Sequence, residues 1–303
     1  LLPMALQLAH RKFSYKRKLV LLQKGTEPDK RLYLIHDGTG RIEGYFPFCP
    51  GVDNRFNIYG IAPDEAVDGL PRNLTIEQLA AEYTEWIRLQ GAGPYYLAGW
   101  SIGGTLALEM ALLLERQGEE VRLCCMFDTP QPGYYPKDSQ PLFSAAGEYS
   151  LFSPFMNDTM LSSRLQAEED LEAWYSHLLQ SPDGVDWARF YSFMDEDWPF
   201  PLNRLGTLTP VERLYLLNQN RTLHLARLQY VPARSAGFPV HLIKALTDPI
   251  DGLESWALHC PRLAVYEVAA SHYELFGAET GAQLAGILNT ILEKESPYDP
   301  IVR

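Results

Sequence analysis

Tyr95-Tyr96-Leu97-Ala98-Gly99-Trp100-Ser101-Ile102-Gly103-Gly104 is the stretch that decides the fold. It contains G-x-S-x-G, with an apolar run of strand character before it and the helix-like run Thr105–Glu115 after it. Between a strand and a helix, that pattern predicts a sharp turn whose serine stands clear of the sheet with its hydroxyl exposed. Gly99 and Gly103 fit because the turn is strained and the helix must pass close to the strand, where a β-carbon would clash. Ser101 then lies at the N-terminus of the helix, and the Ile102 amide is placed to donate to a developing oxyanion.

The pattern extends on both sides. Leu19–Gln23, Leu32–Ile35 and Ile58–Ile61 read as strands, and Leu74–Leu89 as an amphipathic helix that Asn73 or Thr75 would cap. Tyr95–Ala98, the helix Gly103–Gln117 and the apolar strand Val121–Phe127 follow. Strands alternating with helices, each strand a continuous apolar run, predict a parallel sheet covered on both faces. The rhythm stops at Pro130. From there to about Tyr230 no strand pattern is present; helix-like runs appear at Gln166–Leu179, Trp187–Met194 and Thr209–Tyr230. Aromatics are dense in this block, among them Tyr134, Tyr135, Phe143, Phe152, Trp174, Trp198 and Phe200. The sheet pattern resumes with Val240–Ala245 and Leu263–Val268, and Thr280–Lys294 is a final helix. An α/β core interrupted by an aromatic-rich helical insertion over about 130–235 reads as a core with a lid that shapes a substrate cavity.

Composition excludes several classes. The 303 residues carry a net charge of −12, which argues against nucleic acid as a partner. No apolar stretch approaches the roughly 20 residues a bilayer span needs. Cys49, Cys124, Cys125 and Cys260 lack metal-ligand spacing and read as buried thiols of a cytoplasmic protein without disulfides. No metal and no directly bound cofactor are expected. The chain opens Leu1-Leu2-Pro3, so it reads as a piece of a longer polypeptide. Its first 31 residues hold Arg11, Lys12, Lys16, Arg17, Lys18, Lys24, Lys30 and Arg31 against Glu27 and Asp29, which suits a solvated linker or a docking segment for an acidic neighbour.

An activated serine needs a base. Of seven histidines, His10, His177 and His224 fall in helix-like segments, His241 inside a strand, His259 beside Cys260 and His36 at a strand end. His272 differs, because it follows the strand Leu263–Val268 in a short loop, and loops at the carboxyl ends of parallel strands carry chemistry in open α/β sheets. It also comes last in the order nucleophile, acid, histidine. Two carboxylates end strands and could orient the imidazole: Asp128 after Val121–Phe127, and Asp248 after Val240–Ala245 with Asp251 close behind. Position alone does not choose between them. A second oxyanion donor is expected in His36-Asp37-Gly38-Thr39-Gly40, from the amide of Gly38, with that of Thr39 as the alternative. That loop has neither the dinucleotide glycine pattern nor the phosphate-binding lysine.

HDGTG, GPYYLAGWSIGG, MFDTPQP and ASHYELF together resemble the terminal (type I) thioesterase domains of nonribosomal peptide and polyketide synthases, members of the α/β-hydrolase superfamily. The resemblance covers roughly residues 19–293. It implies an α/β-hydrolase domain over 19–303 with 1–18 as linker from a preceding carrier domain. It also resolves the acid: in this family it follows the strand after the nucleophile helix, which makes the implied triad Ser101, Asp128 and His272, with Asp248 in reserve. One departure is HDGTG itself, where many relatives have proline after the histidine.

The resemblance further implies a two-step acyl transfer. An acyl or peptidyl chain on the phosphopantetheine of a carrier domain would move to Ser101, then leave by hydrolysis or macrocyclisation. The isolated domain is expected to be monomeric. A free-standing serine esterase, a type II editing thioesterase and a noncatalytic α/β-hydrolase-fold binding protein are the other readings. The missing signal pattern and the first residues count against the esterase, the long insertion against the editing enzyme, and the intact set of three residues against the binding protein.

Overall fold

A computed structural model of the chain describes residues 19–63, 74–133, 144–197, 210–247 and 255–295. Two compact units are formed. The first contains the sheet. Its strands are β1 (Leu19–Gln23), β2 (Arg31–Ile35), β3 (Asn57–Ile61), β4 (Tyr95–Trp100), β5 (Val121–Phe127), β6 (Val240–Ala245) and β7 (Leu263–Val268). They lie in the order β1-β3-β2-β4-β5-β6-β7; β1 pairs antiparallel with β3 and every other pairing is parallel.

The helices number in chain order α1 (Ile76–Arg88), α2 (Ile102–Arg116), α3 (Ala145–Phe152), α4 (Thr159–Ala167), α5 (Leu171–Gln180), α6 (Trp187–Asp197), α7 (Pro210–Gln229), α8 (Trp256–His259) and α9 (Ala278–Glu295). In the sheet unit, α1 and α2 pack together, and α2 lies along β4 and β5. α9 supplies Leu284, Leu288, Ile291 and Leu292 to a core that includes Leu34, Tyr96, Ala98, Leu123, Cys125 and Phe127. The alternate strand residues Tyr33, Ile35, Leu97, Cys124 and Met126 are buried as well, as a sheet covered on both faces requires. Thr75, the second of the two caps expected, begins α1: its hydroxyl accepts from the Gln78 amide, and the Gln78 side chain accepts from the Thr75 amide.

The second unit is helical and contains α3 to α6 and α7 as far as Leu225. The stretch Gln166–Leu179, expected as one helix, is divided. α4 ends at Ala167, and Asp170 caps a new helix by accepting from the Ala173 amide at 2.7 Å. The acidic run Glu168-Glu169-Asp170 favours that break, since aspartate at an N-cap satisfies an amide it would leave unpaired mid-helix. α3 was not expected at all; it is short and contains Gly147. Phe152, Phe155, Trp174, Tyr175, Leu178 and Phe190 build the unit's own core, with Phe152 and Phe190 stacked at 4.4 Å between centroids. Inside it Glu148 pairs with Arg221 and accepts from the Tyr175 hydroxyl at 3.1 Å. Burial pushes the Glu148 carboxyl up to about 8, against the pull of the guanidinium.

Residues 1–18, Tyr134, Tyr135, Phe143, Trp198, Phe200, Asp248 and Asp251 lie outside the described residues. The four cysteines are buried thiols. Among the described residues no helix is long and apolar enough to cross a membrane.

Candidate active site

Ser101 sits between β4 and α2 with φ 56° and ψ −123°, a backbone region that only glycine enters without strain; against the exposed hydroxyl expected, the residue is buried, 7% exposed. The turn is held from three sides. The Ser101 amide donates to the Phe127 carbonyl on β5 at 2.9 Å, its carbonyl accepts from the Gly104 amide, and the Trp100 amide donates to the Tyr45 hydroxyl at 2.9 Å. Close approach explains the glycines. A β-carbon on Gly99 would stand 2.2 Å from the Gly103 carbonyl group, and one on Gly103 would stand 2.5 Å from the His36 carbonyl oxygen. The first turn of α2 is therefore pressed against the end of β2, which brings Ile102 and the His36–Gly40 loop together.

Asp128 follows β5 directly and is completely buried, with φ 42°. Its amide donates to the Ile243 carbonyl on β6 at 2.7 Å. Its two carboxylate oxygens have separate partners: the Ala245 amide donates to Oδ1 at 2.9 Å, and His272 Nδ1 lies 2.6 Å from Oδ2. The sheet order explains this reach, since β5, β6 and β7 are consecutive and parallel. His272 opens a short turn, His272–Glu274, fixed by Ser271 and Glu274: the Ser271 amide and hydroxyl both donate to the Glu274 carboxylate, at 3.3 and 2.7 Å. The Trp100 ring lies 5.1 Å from the His272 ring, and Tyr273 meets it edge-on at 5.0 Å. The imidazole thus stands beside the residue that precedes Ser101. A carboxylate only accepts, so the hydrogen of the neutral ring belongs on Nδ1 and the lone pair on Nε2.

The His36–Gly40 loop is built from its own side chains. Asp37 Oδ1 accepts from the Thr39 amide at 2.7 Å, the Thr39 hydroxyl at 2.5 Å and the Arg41 amide at 3.4 Å. The Thr39 amide is thus held within the loop. Gly40 has φ 77° and closes the turn by donating to the Asp37 carbonyl. His36 is buried and holds the loop from behind: Nδ1 faces the Asp37 carbonyl at 2.7 Å and Nε2 faces the Tyr83 hydroxyl at 2.9 Å. A carbonyl only accepts, so Nδ1 donates and Nε2 accepts. Burial lowers the His36 pKa to about 4 and raises that of Asp37.

The structure thus brings Ser101, Ile102, Gly38, Asp128 and His272 onto one end of one sheet. Of the two carboxylates between which position alone did not choose, Asp128 meets the histidine; Asp248 is not described. The sequence reading missed Tyr45 and the aromatic support of Trp100. Trp100 stood within the quoted motif, whereas Tyr45 lies in a segment, RIEGYFPFCPG, that carries no periodic signal. Among the described residues no cluster of side chains suited to a metal ion occurs.

The family model of the thioesterase domain matches residues 30–175, a span that includes Gly38, Ser101, Ile102 and Asp128. That match covers just under half of the chain and makes this stretch similar to the thioesterase domain. Several curated relatives are synthases, and one is a thioesterase of Aspergillus terreus, pytI, 38% identical over 124 residues, covering 36% of this chain and 40% of that protein. The chain is 34% identical over 139 residues to a non-reducing polyketide synthase of Cladonia metacorallifera, a match covering 45% of this chain and 7% of that protein. It is also 34% identical over 128 residues to a dimodular nonribosomal peptide synthase of Bacillus subtilis, covering 42% of this chain and 5% of that protein. The chain therefore matches only a small part of the length of these two synthases. Among solved structures, the NocB thioesterase domain of the nocardicin cluster superposes with a TM-score of 0.56, covering 91% of this chain and 98% of that one at 22% identity. That likeness is one of fold, a mostly parallel sheet with helices.

Proposed function

We propose that this protein is a thioesterase that releases an acyl or peptidyl chain from the phosphopantetheine arm of a carrier domain, through an acyl-enzyme on Ser101. The observation that carries the reading is the 2.6 Å contact of His272 Nδ1 with buried Asp128 beside the strained Ser101 turn. His272 Nε2 takes the Ser101 proton as Oγ attacks the thioester carbonyl carbon. The amides of Ile102 and Gly38 receive the charge that develops on the carbonyl oxygen. The intermediate collapses by breaking the C–S bond, and the imidazolium returns its proton to the departing thiolate. Water, or an amine or hydroxyl within the chain, then attacks the ester with His272 again as base. The place of the relatives' domains within synthases supports an upstream carrier domain as the partner.

The helical unit suits the role of a lid that folds the acyl chain and limits water because it is inserted between Asp128 and His272 in the chain; its aromatics Phe152, Trp174, Tyr175 and Phe190 are buried in the unit's own core, so they do not themselves argue for a substrate wall. Intact-mass measurement after incubation with an acyl-thioester tests the chemistry. A retained acyl group is expected on the native chain and none on Ser101→Ala; acylation of that variant overturns the assignment. Turnover of oxygen esters in preference to thioesters would favour an esterase. Hydrogen exchange tests the lid: amides of α3 to α7 should slow when Ser101 carries an acyl group, and unchanged protection would remove the unit from the mechanism.

A further inference from the structure

Tyr45 is almost completely buried, 1% exposed, in the short turn Glu43–Tyr45. Its hydroxyl donates to the Ile35 carbonyl at 2.6 Å and accepts from the Trp100 amide at 2.9 Å. The pairing of β2 with β4 ends at Ile35 opposite Gly99. One phenol oxygen therefore sits across the last rung of that ladder. Beyond the rung the strands separate into the two segments the proposed chemistry needs, the His36–Gly40 loop on one side and the Ser101 turn on the other. The ring is wedged as well: Phe276 meets it edge-on at 5.0 Å, and Phe276 lies 5.5 Å from the Trp100 ring, four residues beyond His272.

We infer that Tyr45 is a positioning residue whose hydroxyl clamps the two backbone segments from which the Gly38 and Ile102 amides project, and so sets the spacing of the oxyanion donors. This rests on the acyl-enzyme reading of Ser101. Burial pushes the phenol pKa well above its usual value, so it acts as a neutral donor and acceptor at every working pH. Neither bond touches substrate. Their effect passes through the main chain, where small displacements of preorganised donors weaken transition-state binding while leaving ground-state binding alone.

Tyr45→Phe removes both bonds and keeps the ring against Phe276. The expected result is a fall of about 10- to 100-fold in kcat with KM within twofold. Affinity for an acyl trifluoromethyl ketone, whose serine adduct bears an oxyanion, should fall by a similar factor. The pH midpoint of the histidine limb should stay in place. A merely structural tyrosine would instead lower the folded fraction and leave both constants of the folded enzyme unchanged, and that outcome overturns the clamp. If Tyr45→Phe does not fold, 3,5-difluorotyrosine at position 45 replaces it, since fluorination weakens the acceptor while preserving shape. Unchanged ketone affinity there overturns the inference; reduced affinity supports it. Ser101→Ala run alongside separates the failures. If it blocks acylation while Tyr45→Phe alters nothing, the clamp alone is wrong. If it is still acylated, the Ser101 reading falls and takes the clamp with it.

Discussion

Replacing Asp128 by Asn tests the assignment of the acid in a way the structure makes quantitative. The backbone gives no reason for failure, because asparagine tolerates the φ of 42° at least as well as aspartate. Hydrogen bonding does. Oδ1 accepts from the Ala245 amide and Oδ2 faces His272 Nδ1, so the native group accepts on both sides. An amide has one accepting oxygen. With the oxygen toward Ala245, its NH₂ faces Nδ1 and forces the imidazole hydrogen onto Nε2, where the ring can no longer take the serine proton. The flipped amide restores the useful tautomer but sets NH₂ against the Ala245 N–H. Two buried donors without acceptors, at about 1–3 kcal/mol each, put that orientation below the first by a factor of about 30 or more. Loss of the negative charge that stabilises the imidazolium adds to this. A fall of about 10³–10⁴ in the acylation rate is expected, with the fold retained. Single-turnover acylation followed by intact mass measures it. A loss under about tenfold would refute the reasoning, and a larger loss for Asp248→Asn would move the acid to the end of β6.

Three further outcomes follow from the same geometry. Gly103→Ala places a methyl group against the Ile35 and His36 carbonyls, at 2.6 and 2.5 Å, and should destabilise the protein by about 2–3 kcal/mol in denaturant titration; a loss under about 0.5 kcal/mol would mean the helix can shift freely. Ser101→Gly should abolish acylation yet raise stability by about 1 kcal/mol, through relief of strain at φ 56° and ψ −123°; a less stable variant would show that the turn is not strained. His36, with its pKa lowered to about 4 by burial, stays neutral in the folded chain while the unfolded chain binds a proton below about 6.5. Its contribution therefore makes stability decline as pH falls from about 6.5 to about 4, by up to about 3 kcal/mol, and an imidazole NMR titration with a midpoint near 6.5 would contradict this.

Strands β1, β5, β6 and β7 were legible to the residue because each is predominantly apolar, broken only by Gln23, Arg122, His241 with Lys244, and Glu267 respectively, and is bounded by polar or turn residues. The elbow was legible because strand, glycine spacing and helix agree at one place. The insertion was harder. Its helices are short and pack on each other, so caps such as Asp158 and Asp170 set their limits more than periodicity does. Of the site, Ser101 and His272 could be read from local context. Asp128 could not be separated from Asp248 on spacing, since both follow strands; the family resemblance pointed to Asp128, and its contact with His272 across the sheet is visible only in the fold. Tyr45 was invisible for the same reason: its two bonds reach β2 and β4, and nothing in the residues around it announces a partner ten or fifty-five positions away.

The place of the insertion in the sheet order has a consequence for what a change in its length would do. β5 and β6 are parallel neighbours, so some crossover must carry the chain from the end of one to the start of the next. A single helix would do, and α7 delivers the chain back toward β6. Everything between Asp128 and α7 is an elaboration of a connection the fold already demands. Closing a longer loop costs only logarithmically more in entropy, and no pairing of the sheet depends on what the loop contains. A change of length in this segment would therefore leave the strand ends that carry Ser101, Asp128 and His272, on β4, β5 and β7, in place.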